Sequence, residues 1–218
     1  MLRKSLAPAL WIVAAVLSGC NYASAPQPEG AVLFQDDFTL PISGWDRINQ
    51  PASAIGYQDG TYRVKILAPE TIAWGRPHLS FDNITLDVDA TKRGGPEDNL
   101  FGVLCRYQDP ANFYFFLISS DGYAGAGAYR DGERFIFGEA ALLPSPAVAT
   151  GQATNHLQVD CLGSTVRMRV NGLTVAEADV SDWASGDVGL VAGSYEAGGV
   201  EVWFDHFTVR QAGAAGSP

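Results

Sequence analysis

Thr165-Val166-Arg167-Met168-Arg169-Val170-Asn171-Gly172-Leu173-Thr174-Val175-Ala176 is the stretch on which the fold turns. Val166, Met168 and Val170 alternate with Arg167 and Arg169. That two-residue period belongs to a strand with one buried and one wet face. Asn171-Gly172 follows at once, and both residue types accept the positive φ of a two-residue hairpin turn. A second strand begins at Leu173. The segment therefore reads as an antiparallel hairpin with one face on a core.

The same grammar extends in both directions. Phe81 to Lys92 alternates Ile84, Leu86 and Val88 with Thr85, Asp87 and Asp89. Asp59-Gly60, Gly94-Gly95, Asp121-Gly122 and Asp131-Gly132 mark further tight turns. Turn signals recur every ten residues or so, the rhythm of a sandwich or barrel. Phe101-Gly102-Val103-Leu104-Cys105 and Phe113-Tyr114-Phe115-Phe116-Leu117-Ile118 are apolar on both faces. They predict central strands of one sheet, covered on both sides. No stretch of ten or more residues has a helical period. Gly138 to Asn155 is the one long irregular segment, with Pro144, Pro146 and Gly151. Loops of that length are often functional or mobile.

Apolar residues make up 47% of the 218, enough for a sizeable core in one domain. The balance of 14 basic against 24 acidic side chains gives a net charge of −10. It argues against nucleic acid as a partner, because phosphate binding relies on lysine and arginine. It also argues against a polybasic contact with anionic lipid. His78, His156 and His206 are scattered and the cysteines have no metal-ligand spacing, so a zinc site is not expected.

The first residues carry an address. Arg3 and Lys4 are followed by an apolar run from Leu6 to Leu17, broken only by Pro8. A dozen residues fall short of the roughly 20 that a membrane span needs, whereas a basic start and a short apolar run are the layout of a secretory signal. The ending Leu17-Ser18-Gly19-Cys20 resembles a bacterial lipoprotein signal. The resemblance implies removal of residues 1–19, lipidation of Cys20 and attachment to a bacterial membrane on its extracytoplasmic side. An ordinary cleaved signal with a coincidental cysteine is the alternative. Residues 20–30 are small, polar and proline-containing and read as a flexible tether. Residues 211–218 read as a disordered tail. With Cys20 lipidated, Cys105 and Cys161 remain, and an even pair in an oxidising compartment suggests one disulfide. Two buried free thiols are the alternative.

Residues 31–210 resemble a concanavalin A-like jelly roll, and more narrowly laminin G-like domains and exported modules of the 3-keto-disaccharide hydrolase, or family 16 glycoside hydrolase-like, type. The likeness rests on Phe34-Gln35-Asp36-Asp37-Phe38 with Gly44-Trp45, and on Gly60-Thr61-Tyr62-Arg63-Val64. It continues through Phe101 to Tyr107, Asn112 to Phe116 and Asp121-Gly122-Tyr123, then Asn155 to Val159, Val170-Asn171-Gly172 and Gly186 to Leu190. It ends at Val202-Trp203-Phe204-Asp205-His206-Phe207-Thr208-Val209. It implies an all-β sandwich of two antiparallel sheets with the first and last strands side by side. Asp36 and Asp37 would then neighbour Asp205. Strand-end carboxylates in water account for them, and a structural calcium ion is the sharper reading, since hard cations take several oxygen ligands.

A glycosidase needs two carboxyl groups about the scissile bond. True family 16 hydrolases carry Glu-x-Asp-x-x-Glu on one strand. The nearest match here is Glu177-Ala178-Asp179-Val180-Ser181-Asp182, whose last acid is too short. Glu177, Asp179 and Glu201 remain weak catalytic candidates beside a solvated-face explanation, as does the Glu97-Asp98 pair. Aromatic side chains at strand ends are better placed to stack on sugar rings: Trp74, Tyr123, Trp183 and Tyr195. Core capping is the alternative for each. Trp45 and Trp203 fall inside fold-defining segments and are expected in the core. The expectation is a module that binds a glycan or a surface protein without catalysis. The alternative is a glycoside hydrolase acting on a 3-keto-disaccharide or a β-glucan.

Overall fold

A computed structural model describes residues 28–213. The signal segment 1–19, the lipidation candidate Cys20, positions 20–27 of the tether and 214–218 of the tail lie outside the described residues. Within them the chain forms strands and no helix: β1 (Val32–Asp36), β2 (Ile48–Gln50), β3 (Ser53–Gln58), β4 (Thr61–Ile66), β5 (Ile72–Gly75), β6 (Ile84–Gly94), β7 (Asn99–Asp109), β8 (Asn112–Ser119), β9 (Tyr123–Arg130), β10 (Glu133–Ile136), β11 (Leu143–Pro144), β12 (Thr154–Leu162), β13 (Thr165–Val170), β14 (Leu173–Asp179), β15 (Asp187–Ser194) and β16 (Glu201–Gln211). One sheet has nine strands in the order β14-β13-β12-β6-β16-β4-β3-β2, with β1 also on β16. The other has seven, β10-β9-β8-β7-β15-β5, with β11 on β9. All pairings are antiparallel, and the architecture is the jelly-roll sandwich that the sequence predicts.

The β13–β14 hairpin closes on Asn171 at φ 50° and Gly172 at φ 84°, as a primed turn requires. Val166, Met168 and Val170 are buried on its inner face. Val64 and Ile66 of β4, Leu86 and Val88 of β6 and Val202 and Phe204 of β16 point the same way. They meet Val103, Tyr114, Phe116 and Leu190 of the other sheet in one core. A disulfide joins Cys105 of β7 to Cys161 of β12 across that core, with the Cα atoms 7.0 Å apart.

β7 and β8 sit centrally and are buried on both faces. Their outward residues make a second apolar layer on the outside of the seven-stranded sheet: Leu100, Leu104, Phe113, Phe115 and Leu117, with Val191 of β15. Phe113 lies 4.9 Å from the Tyr129 ring and 5.4 Å from the Trp74 ring, centroid to centroid. Such contacts add specific geometry to simple burial.

β16 binds β6 along one edge. Along the other it carries β4 on residues 201–204 and β1 on residues 207–210. Asp36 stands opposite Phe207, and the Gly30 N–H donates to the Gln211 carbonyl at 2.7 Å. The chain therefore enters and leaves the sandwich at the same end.

Trp45 is 3% exposed and packs against Phe38, Tyr62 and Phe207. Trp203 departs from its expectation. Strand parity sends Val202 and Phe204 inward and Trp203 outward, where Arg93 covers its ring at 4.8 Å. Its indole N–H donates to Glu201.

Candidate functional site

A cleft of about 600 Å³ opens where the outer apolar layer of the seven-stranded sheet reaches one end of the strands. Leu100, Leu117, Ile136 and Leu142 form its floor. Tyr123, Tyr195 and Arg134 stand on its rim with Glu70, Asp98, Asp121 and Glu196. Tyr123 is 39% and Tyr195 36% exposed, so ring surface is available to a ligand.

Buried polar contacts set these positions. Asn99 opens β7 with no exposed surface. Its amide donates to the Pro96 carbonyl at 2.7 Å and to the Ser120 hydroxyl at 2.9 Å, and its carbonyl accepts from the Ser120 N–H at 3.1 Å. One side chain thus ties the turn bearing Asp98 to the turn bearing Asp121. The Ser119 hydroxyl donates to Asp121. Lys92 runs buried to this end and meets Glu97 at 2.7 Å. Gly95, at φ 84°, leaves no room for a side chain, since a Cβ there would lie 2.5 Å from the Val200 nitrogen. On the far side the Glu70 N–H donates to the Tyr195 carbonyl at 2.7 Å. Burial pushes the Tyr195 hydroxyl above its usual range, and the nearby Arg134 charge and hydrogen bond oppose that.

Two of the four aromatic candidates, Tyr123 and Tyr195, meet at this cleft. Trp74 lies on the same outer face but in the ring cluster with Tyr107 and Phe113, away from the lining. Trp183 packs on the Tyr114 ring at 4.8 Å, against the inter-sheet core, while its carbonyl accepts from the buried Arg106. A tryptophan beside apolar strand residues folds onto them instead of standing clear.

Of the acids named for catalysis, Asp98 lines the cleft, whereas Glu177, Asp179 and Glu201 lie away from it. Glu177 is exposed on edge strand β14, where a hydrogen bond and ion pair with Arg167 at 2.7 Å hold it below the carboxylate range. Asp179 accepts from Thr165 on the same edge. Glu201 lies on the outer face of the nine-stranded sheet. Burial raises its carboxyl, but hydrogen bonds from Lys65 and Trp203 outweigh this and lower it. Asp182 accepts from the Tyr114 hydroxyl and from Arg130, both at 2.9 Å, as a latch between the 180s loop and the seven-stranded sheet.

The three aspartates named for calcium are engaged separately. Asp36 turns inward and accepts from the Phe38 N–H at 2.7 Å. Asp37 accepts from the Thr39 hydroxyl at 2.7 Å, which with the Thr39 N–H lowers its carboxyl. Asp205 lies on the outer face and accepts from the His206 N–H. Among the described residues no group of three or more His, Cys, Asp or Glu side chains is placed to hold a metal ion. A shallower groove of about 460 Å³ runs between Asp36–Ser43 and His206–Thr208.

The comparisons bear on the fold. No protein-family model matches the chain, and no curated protein matches it. Solved structures do. The chain is similar to the carbohydrate binding module CBM66 from Bacillus subtilis, with a TM-score of 0.62, 15% identity, and 77% of this chain and 96% of that one covered. It is similar to a protein of unknown function with a galectin-like fold from Bacillus subtilis, with a TM-score of 0.61, 15% identity, and 86% and 99% covered. It also resembles part of the xylan β-1,4-xylosidase from Bacillus halodurans C-125, with a TM-score of 0.60, 14% identity, and 85% of this chain but 40% of that one covered. At these identities the likeness is one of fold: a galectin-like β-sandwich.

Proposed function

We propose that the chain is an extracytoplasmic module, held to a bacterial membrane through lipidated Cys20, that binds a glycan without turning it over. The observation that carries this reading is the cleft at the end of the seven-stranded sheet. It joins an aliphatic floor, two exposed tyrosine rings and a rim of hydrogen-bonding groups, the composition of a small-molecule site. A sugar ring offers a C–H face to such a floor and hydroxyls to such a rim. The solved structures of similar fold include a carbohydrate binding module, which agrees with this reading. Glycan-array binding by the full chain in detergent tests it, with loss expected for Tyr123→Ala and Tyr195→Ala. Cys20→Ser is expected to abolish labelling by a tagged fatty acid, and undiminished labelling would sink the anchor.

A second reading, hydrolysis of a 3-keto-disaccharide or β-glucan, is favoured by the four acids around the same cleft. Against it, all four are exposed rim residues, and the floor offers no buried carboxylic acid to donate a proton to a leaving group. Steady sugar release, lost on changing Asp98 or Asp121, would replace binding with catalysis.

A further inference from the structure

We propose that the cleft selects a glycan whose sugars carry free, protonated amino groups; this deepens, and rests on, the glycan-binding reading above. Four carboxylates line the cleft against one guanidinium. None of the four belongs to an ion pair among the described residues. On the other sheet three acids are neutralised locally by basic side chains: Asp160 has Arg169 at 3.0 Å, Glu177 has Arg167 at 2.7 Å and Glu201 has Lys65 at 2.7 Å. At the cleft the one cation in the lining is Arg134, near Tyr195. Negative charge is thus left uncompensated at the concavity that has both an apolar floor and exposed rings.

Each part of that lining suits an ammonium-bearing sugar. Carboxylates make short, charge-assisted hydrogen bonds to N⁺–H donors. The face of a tyrosine ring attracts a cation through its quadrupole. The aliphatic floor takes the C–H face of a pyranose. A bare metal ion is a poorer fit, because the acids surround a cavity of about 600 Å³ and do not gather about one point. Uronic-acid or sulfated glycans would meet like charge at the rim, on a chain whose net charge is −10.

The test compares a glucosamine hexasaccharide with the N-acetylglucosamine hexasaccharide and cellohexaose, by calorimetry on the full chain in detergent. The measurement is made at about pH 5.5, where the amino sugar is protonated. The expected result is binding of the glucosamine oligomer about tenfold tighter than cellohexaose at low salt, since exposed ion pairs contribute a fewfold each. The advantage should shrink at high salt and fall severalfold in Asp98→Asn/Glu196→Gln. Equal binding of all three oligomers overturns the amino-sugar inference while leaving glycan binding intact. A preference unchanged in the double variant also overturns it, as does tighter binding of a lysine hexapeptide than of the glucosamine oligomer. Binding of no oligosaccharide sinks the glycan reading and this inference together.

Discussion

Breaking the Cys105–Cys161 cross-link is expected to lower stability by about 4 kcal/mol. The bridge spans 56 residues of chain. Closing a loop of that length removes chain entropy from the unfolded ensemble worth about 4 kcal/mol at room temperature. Both cysteines are fully buried and bridge opposite sheets, so the folded core loses little when the bond is merely opened. Reduction of the unchanged chain therefore isolates the cross-link. Cys105→Ala/Cys161→Ala adds the loss of two buried sulfur atoms and should unfold somewhat more easily still. The assay is urea unfolding followed by tryptophan fluorescence, with and without reductant, and thermal unfolding alongside. For a domain of this size about 4 kcal/mol corresponds to a fall in Tm of roughly 8–16 °C. The urea m-value should rise on reduction, because the freed unfolded chain exposes more surface. Oxidised and reduced chains agreeing within about 1 kcal/mol would refute the loop-entropy argument.

Gly125→Ala places a Cβ 2.7 Å from the Leu142 Cδ2, the flexible tip of a floor residue. It should weaken ligand binding by shifting that floor while the thermal midpoint barely moves. Glu177→Gln should leave binding on a glycan array unchanged, since this acid lies on an edge strand of the other sheet. At Asp182 burial raises the carboxyl, but hydrogen bonds from Arg130 and Tyr114 outweigh it, and the net shift is downward. A lowered folded pKa adds stability that is present above the unfolded value and lost as pH falls through the folded one. The gap in urea midpoint between the parent chain and Asp182→Asn should therefore be open at about pH 6 and close below the usual carboxylate range. Tyr114, whose hydroxyl is pushed up to about 12, stays a neutral donor throughout.

Strand and turn chemistry act locally, which is why the sandwich is legible in the chain. The alternation at Val166-Met168-Val170 and the Asn171-Gly172 turn specify a hairpin without help from any distant residue. The unbroken apolar runs at Phe101 and Phe113 announce β7 and β8. The cleft is harder to read, because Glu70, Asp98, Asp121 and Glu196 come from separate connections that meet only when the strands are paired. One signal was present: Asp98, Asp121 and Tyr195 each sit within two residues of an end of an apolar strand, on the same side of the sheet. Trp74, Trp183 and Trp203 mislead for a related reason. A tryptophan's position in sequence gives its parity only once the strand's register is known, and neighbouring rings or an arginine stem then decide whether its face stays open.

The pairing of β1 with the end of β16 has a geometric consequence. Gly30 and Gln211 meet at one end of the sandwich, beside the start of β6 at Ile84. The cleft is built from turns at the other end, just past Gly94 and just before Glu201. Eleven residues of extended strand separate the two, about 35 Å at the usual rise. Whatever grips the chain by its leading residues therefore holds it by the heel, with the mouth of the cleft pointing away. Both ends of the described chain lie at that heel, and neither passes over the mouth.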